Sequence, residues 1–275
     1  KRETWPVDES RDEESLMLEA LKYVDQWNEK PVIIAHHPSR SAKGLGKYGQ
    51  TTPAELRKWN NTAPDVAVGM EGAPGHQAAE FTANEKKEIY PAWVFARGAY
   101  GRGYPTLGGF DQMTAKLGGF WDSMLSEGRR WWVTTNSDSH IHYTEGGIDF
   151  WPGEYSKTYV FAARNHDDII DGIRNGRIFV TTGDLVSELY VTVSAGNRQA
   201  DIGGLLTVNE NELVTVEIRF KDPATPNASG ISPAVERVDL IIGEVSGRHD
   251  DLNTDSSPST RVFHRFTAWS SEGGF

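Results

Sequence analysis

The sequence predicts an α/β protein in which a parallel sheet, open or closed into a barrel, is followed by a small antiparallel β-sandwich. Two observations predict the first part. Helical segments and short apolar runs alternate four times before residue 186, and three of these runs end in histidine or acidic residues. A third observation predicts the second part, because beyond residue 186 helical periodicity gives way to alternating apolar and polar residues. We therefore divide the chain into a main domain over 1–186 and an accessory domain over 187–275.

The first helix and the first strand meet at Pro31. Apolar residues recur at three-to-four spacing over 16–27, which predicts an amphipathic helix that Pro31 stops. The four consecutive apolar residues over 32–35 favour a strand that is buried on both faces. This strand ends at His36 and His37.

Three further pairs of a helix and a strand follow. A strand ending at Glu71 follows a short helix, and a strand ending at Asp138 and His140 follows a long one. The last helix is capped by Asn165 and ends at Gly176. We predict these helices over 52–60, 110–128 and 165–176, and their strands over 65–72, 129–140 and 177–183.

Four alternating runs in the accessory domain predict antiparallel strands. Stretches rich in Pro, Asp, Asn and Ser lie between some of these runs and are typical of exposed loops. The strands are predicted over 187–196, 212–220, 237–247 and 260–269, and the two loops over 221–233 and 248–259.

The composition narrows the function classes. The chain has no cysteine, so a bound metal must be held by His, Asp and Glu. A net charge of −11 disfavours a nucleic acid as partner, because neutralising phosphates requires clustered Lys and Arg. No run approaches the roughly 20 apolar residues that span a bilayer. The compartment stays open between secreted or periplasmic and cytoplasmic, with secretion favoured, and the oligomeric state stays open.

The residues at the strand ends indicate a metal site. In a parallel sheet, ligands gather beyond the carboxyl ends of the strands, where His36, Glu71, Asp138 and His140 are expected to meet. Asp138 and His140 are two residues apart and would share one face of an extended strand. Adjacent strand residues point to opposite faces, so we expect His36 to face the site and His37 to support it, unless the strand has already ended.

Each of these residues also has a purely structural interpretation. Asp138 can cap a turn beside a surface histidine, one of the paired histidines can bond only to the backbone, and Glu71 can be an ordinary exposed carboxylate. His76 is a candidate extra ligand or substrate contact, and His142 is a candidate to support a ligand; both can also be ordinary surface residues. A glycine-rich stretch over 96–110 carries arginines and is either a substrate-covering loop or a solvated connection. The arginines that would bind a phosphate there are Arg97 and Arg102.

The stretches "VIIAHHPSR", "VAVGMEG", "WWVTTNSDSH" and "DDIIDGIRNGRIFVTTGDL" together resemble the PHP (polymerase and histidinol phosphatase) family of metal-dependent hydrolases. The resemblance covers about residues 15–190. It implies a distorted (βα)7 barrel with two or three divalent ions, commonly zinc, manganese or iron, and a bridging hydroxide that attacks a phosphoester. His36 matches the ligand of the family's "AHP" motif, and His37 beside it stays possible. Asp138 and His140 match its final D-x-H, and Glu71 falls near an acidic position.

The sequence departs from the family pattern at its start. The family opens with an H-x-H on its first strand, whereas no histidine precedes His36 here. We therefore expect the C-terminal part of a PHP-type barrel, whose metal set is incomplete in this chain. The function expected from the resemblance is hydrolysis of a small-molecule phosphoester by a metal-bound hydroxide, with Asp138 and His140 as catalytic residues. The alternatives are a metal-dependent amide, carbamate or ester hydrolase, and a non-catalytic protein whose Trp131, Trp132 and Trp151 engage a glycan or a partner.

Overall fold

The computed structural model describes residues 13–42, 46–74, 110–138, 152–154, 156–228 and 230–267. Its central feature is a parallel sheet of three strands in the order β1-β2-β3. The strands are β1 (Ile33–Ala35), β2 (Ala67–Pro74) and β3 (Trp132–Asn136). The helices packed around it are α1 (Glu14–Asp25), α2 (Pro53–Thr62), α3 (Gln112–Ala115) and α4 (Phe120–Ser126).

Helix α2 shows how local signals position these elements. The hydroxyl of Thr52 accepts a hydrogen bond from the backbone N–H of Glu55 at 3.1 Å, and Pro53 occupies the first turn, so both favour a helix start here. The buried amide of Asn60 donates to the carbonyls of Ala67 at 3.0 Å and Arg130 at 3.2 Å. Helix α2 is thereby bonded to the start of β2 and to the residues before β3.

The main core lies between these helices and the sheet. Burying this apolar surface supplies most of the driving force for folding. Its fully or nearly fully buried members are Leu21, Ala35, Leu56, Ala63, Val66, Ala67, Met70, Met113, Phe120, Met124, Trp131 and Val133. Trp131 is therefore a core residue rather than a contact for a glycan or a partner.

The predicted barrel is wrong. Within the described residues the parallel sheet stops at three strands, and the fourth predicted strand, β5 (Ile178–Thr182), pairs antiparallel with β4 (Ser156–Val160). Helix α5 (His166–Arg174) lies between them in the chain. The prediction failed because β4 was missed. Without β4, the alternation of helix and strand looked like a parallel crossover.

Side chains of β4, rather than a backbone ladder, meet the outer edge of β3. The hydroxyl of Thr158 accepts from the N–H of Thr135 and donates to its carbonyl, both at 2.9 Å. The hydroxyl of Ser156 donates to the carbonyl of Asn136 at 2.7 Å. These bonds satisfy backbone groups that a fourth parallel strand would otherwise have to pair with.

The predicted β-sandwich is also wrong, although the antiparallel pairing of its strands is found. Beyond residue 186 the structure has a sheet in the order β7-β6-β8 and a separate β9–β10 pair. Among the described residues there, Ala195 is the one buried apolar residue, so the two sheets do not enclose a common core. Alternation predicts strands but not which faces come together. The strands are β6 (Glu188–Ala195), β7 (Arg198–Asp201), β8 (Thr215–Lys221), β9 (Val238–Ile242) and β10 (Arg261–Phe266).

A buried ionic cluster joins α2 to the end of α4. Glu127 accepts from Nε of Arg57 at 2.5 Å and from Nη2 of Arg129 at 2.8 Å, and all three side chains are essentially inaccessible. Arg57 also donates to the carbonyl of Leu252 at 2.9 Å, which attaches the loop after β9 to this cluster. A membrane-crossing helix, which would need both length and apolar character, is not found in the described part of the chain.

Candidate metal centre

The parallel sheet brings three of the predicted site residues to one edge. His36 directly follows β1, Glu71 lies in β2, and Asp138 lies two residues beyond β3. The Nε2 atom of His36 is 2.7 Å from Oε2 of Glu71 and 3.4 Å from Oδ1 of Asp138. Glu71 and Asp138 are buried, whereas about half of the His36 side chain is exposed. The site therefore has a half-exposed imidazole in contact with two buried carboxylates.

His37 lies on the same side as His36. Strand β1 ends at Ala35, and the backbone of His37 has a φ of +29°, which departs from extended geometry. The centroids of the two imidazole rings are 4.0 Å apart, with 35° between the ring planes. Because the strand has ended, the alternation that would turn His37 away does not apply. One potential ligand atom from each of His36, His37 and Asp138 lies within 4.8 Å of the others.

Asp138 is held by a turn rather than by an extended strand. Its φ is +52°, and its backbone N–H donates to Oδ1 of Asn136 at 2.6 Å. A short polar side chain that accepts a hydrogen bond from the backbone two residues further on is typical of such turns. The extended geometry assumed for Asp138 and His140 therefore does not hold at Asp138, and His140 lies outside the described residues.

The two histidines differ in electrostatic environment. The hydrogen bond with Glu71 raises the pKa of His36, and burial opposes this effect. Burial lowers the pKa of His37 to about 4, and the positive charges of His36 and Arg40 add to that shift. His37 is consequently neutral at pH 7, the form in which an imidazole nitrogen has a lone pair for a metal.

Glu71 contains a buried oxygen without a partner. Its Oε2 accepts from the backbone N–H of His37 at 3.2 Å as well as pairing with His36. Its Oε1 is buried and makes no hydrogen bond in the part of the molecule that the structure describes. Burying a carboxylate oxygen without a hydrogen-bond donor costs free energy of folding. A cation bound beside this oxygen would explain why it is buried there.

Two residues of the site were missed from the sequence. Nη1 of Arg40 lies 3.4 Å from Oδ2 of Asp138, and its side chain is partly exposed. Asp111 is fully buried and binds the backbone N–H of Ser39 at 3.2 Å. The sequence indicated Arg40 only weakly, because it lies four residues after His36. Asp111 lies near the start of the helix predicted over 110–128 and gave no functional signal.

The donors fit a divalent transition metal. Imidazole nitrogens with carboxylate oxygens are the ligand types that zinc, manganese and iron accept, and no thiolate is needed. The residues that would hold the cation are His36, His37 and Asp138, with Glu71 beside them. The remaining predicted site residues lie outside the described residues: His76, Arg97, Arg102, His140 and His142.

Comparison with protein-family models gave no match, and searches of curated proteins and of solved structures found no significant similarity. Functional inference for this chain therefore depends on the geometry of its own side chains.

Proposed function

We propose that the chain is a divalent-metal-dependent hydrolase that acts on an anionic ester, with a phosphoester as the preferred class. One observation carries the proposal: ligand atoms of His36, His37 and Asp138 lie within 4.8 Å of one another. Next to them is the fully buried Glu71, with one oxygen that has no partner among the described residues.

Charge balance supports a cation at this position. The carboxylates of Glu71 and Asp138 are both buried and both approach Nε2 of His36. Two buried carboxylates close together repel each other, and desolvation adds to the cost. The partly exposed His36 and Arg40 offset some of that charge. A divalent cation would offset more, and it would use the neutral imidazole of His37 as a ligand.

When bound, the cation would act as a Lewis acid toward the ester and would increase the acidity of a water molecule. The residues of the chain then have separate roles. His36, His37 and Asp138 hold the centre, and the buried Glu71 orients His36 through the 2.7 Å contact. Arg40 is partly exposed beside Asp138, so its guanidinium can bind oxygens of an anionic substrate in a planar, forked geometry.

Metal content and activity test the proposal together. Purified protein is stripped with a chelator, reloaded separately with Mn²⁺ or Zn²⁺, and analysed for bound metal by elemental analysis. It is then assayed on phosphate monoesters, phosphate diesters, carboxylic esters and amides. We expect stoichiometric metal and metal-dependent release of phosphate. Hydrolysis confined to carboxylic esters or amides would reject phosphoesters as the substrate class, whereas the proposed metal centre would stand.

A matched pair of histidine variants controls for indirect effects. His36→Gln removes a proposed ligand, whereas His166→Gln alters an exposed histidine at the start of α5. We expect the first variant to lose bound metal and activity and the second to keep both. Absence of stoichiometric metal from the reloaded wild-type protein would reject the proposed function.

A further inference from the structure

We infer that Asp111 is a positioning residue that holds the turn carrying His36, His37 and Arg40 against the strand carrying Glu71. This inference rests on the proposed function, because it assigns Asp111 a role in the same centre. Asp111 directly precedes α3 and is distant in sequence from both segments. The hydrogen bonds that support this role run from Asp111 to Ser39 and Gly72, which lie beside the proposed ligands in the chain.

The carboxylate of Asp111 binds the turn after β1. Oδ2 accepts from the backbone N–H of Ser39 at 3.2 Å, and Oδ1 accepts from the hydroxyl of the same residue. Ser39 and Asp111 are both fully buried. Bonds to both the backbone and the side chain of one residue fix its position and orientation. Ser39 lies two residues after His37 and directly before Arg40, whose N–H donates to the carbonyl of His37 at 3.0 Å.

The backbone of Asp111 binds the second segment. Its N–H donates to the carbonyl of Gly72 at 2.5 Å, and Gly72 directly follows Glu71. Gly72 also lies where the β2–β3 register shifts, between Glu71 and Ala73. One residue thus bonds to the chain next to Glu71 and to the turn that carries both histidines. The relative position of those side chains depends on it.

Helix capping accounts for only part of this arrangement. Oδ1 of Asp111 also accepts from the N–H of Met113 at 2.8 Å, which is an N-cap contact at the start of α3. A cap does not require two additional bonds to a residue 72 positions earlier in the chain. The bonds to Ser39 therefore indicate a function for Asp111 in the turn after β1.

Two variants test the inference in the full chain. Asp111→Asn keeps the shape of the side chain but places an NH₂ group where the carboxylate accepts hydrogen bonds, so a donor faces a donor. Ser39→Ala is milder, because it removes the hydroxyl contact and keeps the backbone contact. The matched control is Asp122→Asn, since Oδ2 of Asp122 accepts from the N–H of Gly118 at 2.6 Å near the start of α4.

The first measurement is the affinity for Mn²⁺ by isothermal titration calorimetry, with folding checked by thermal unfolding in chelator. Replacing residues that orient metal ligands typically costs 10–100-fold in metal affinity. We expect the affinity for Mn²⁺ to fall about tenfold or more in Asp111→Asn and by less in Ser39→Ala. Asp122→Asn should lose about as much stability as Asp111→Asn but keep the wild-type affinity for Mn²⁺. Wild-type affinity in Asp111→Asn would overturn the inference and leave the proposed function intact.

The second measurement does not need a metal. Ring ¹H–¹⁵N correlations of His36 and His37 are recorded by NMR in chelator, because the two adjacent, tilted rings and the contact to Glu71 give these signals a specific environment. We expect the signals to move in Asp111→Asn and to stay in Asp122→Asn. Unmoved signals overturn the inference. If the wild-type protein binds no Mn²⁺ but the signals move, the proposed function fails and the positioning by Asp111 holds.

Discussion

Nε2 of His36 lies 2.7 Å from Oε2 of Glu71, which joins the end of β1 to the neighbouring strand β2 through one short contact. Glu71 is fully buried, whereas His36 is half exposed. The pair thus connects the interior of the sheet to its open edge. Asp138 approaches the same imidazole nitrogen at 3.4 Å, and two predictions about the site follow from these contacts.

The first prediction concerns metal-dependent stability. A ligand that binds only the folded state stabilises it by about 2.7 kcal/mol at a concentration of 100 times its Kd. We expect Mn²⁺ or Zn²⁺ to raise the melting temperature of the wild-type protein and a chelator to reverse the rise. The rise should be absent from Asp138→Asn, because a buried ligand has been lost. Differential scanning calorimetry measures it, and an equal rise in both proteins would contradict the assignment of Asp138.

The second prediction concerns Arg40. Hydrogen bonds to charged groups contribute about 1.5–3 kcal/mol, which corresponds to roughly 10–100-fold in binding. We expect Arg40→Gln to raise KM for a phosphoester by about that factor while metal content stays at the wild-type level. Arg40→Lys should raise KM less than Arg40→Gln does, because lysine keeps the positive charge but lacks the two-pronged guanidinium group. Steady-state kinetics on the metal-loaded protein measures both.

The control for Arg40 is Arg130→Gln, which removes an exposed arginine paired with Asp65 at 3.0 Å. Its KM should equal that of the wild-type protein. If Arg40→Gln and the control behave alike, Arg40 does not contact the substrate.

The third prediction concerns acid stability. Burial alone would raise the pKa of Glu127, but hydrogen bonds from Arg129 and Arg57 outweigh burial and hold that pKa below its usual value. A carboxyl group with a lowered pKa in the folded state stabilises the protein above its unfolded pKa of about 4.3. That stabilisation is lost as pH falls through the lower pKa of the folded state. We therefore expect the urea midpoint to fall between about pH 5 and pH 3.

The variant Glu127→Gln isolates this contribution, because it keeps the shape of the side chain and removes its charge. It should be less stable than the wild-type protein at pH 7, and the difference should shrink as the pH approaches 3. A difference that is constant across this range would show that the charge of Glu127 makes no contribution. Urea unfolding at a series of pH values distinguishes the two outcomes.

The fourth prediction concerns the edge of the parallel sheet. Thr158→Val removes the hydroxyl that bonds both the N–H and the carbonyl of Thr135. Leaving a buried polar group without a partner costs about 1–3 kcal/mol, which we expect as lost unfolding free energy. The matched control, Thr192→Val, removes an exposed hydroxyl that donates to Asp201 at 2.7 Å. It should cost less than about 0.5 kcal/mol. Equal losses would mean that the Thr158 contact does not stabilise the edge.

The positions of several elements follow from local patterns in the sequence. Helix α2 matches the helix predicted over 52–60 to within two residues, and the helix capped by Asn165 ends before Gly176, which has a φ of +70°. Strands β1 and β3 lie within their predicted ranges, and β2 overlaps its predicted range but continues to Pro74. Such patterns act over a few residues, so a single sequence is sufficient to reveal them.

Other parts of the fold depend on contacts between distant segments. Strand β4 was missed because its residues are not a continuous apolar run, and without it the antiparallel pairing of β5 was mistaken for a parallel crossover. Asp111 was missed for a similar reason. Its bonds to Ser39 cross 72 residues, and nothing near Asp111 in the chain indicates them.

The sequence by itself determined that His36 and Asp138 lie just beyond the ends of strands, because apolar runs and their polar ends are local features. Glu71, which was predicted at the end of its strand, lies inside β2, because that strand continues to Pro74. Only the tertiary structure decided that His37 faces the same side as His36, that Arg40 reaches Asp138, and that the sheet stops at three strands in the described residues. The physical reason is that backbone turns with positive φ and hydroxyl contacts at the edge of β3 select these arrangements. Both are set by packing between distant segments rather than by residue spacing.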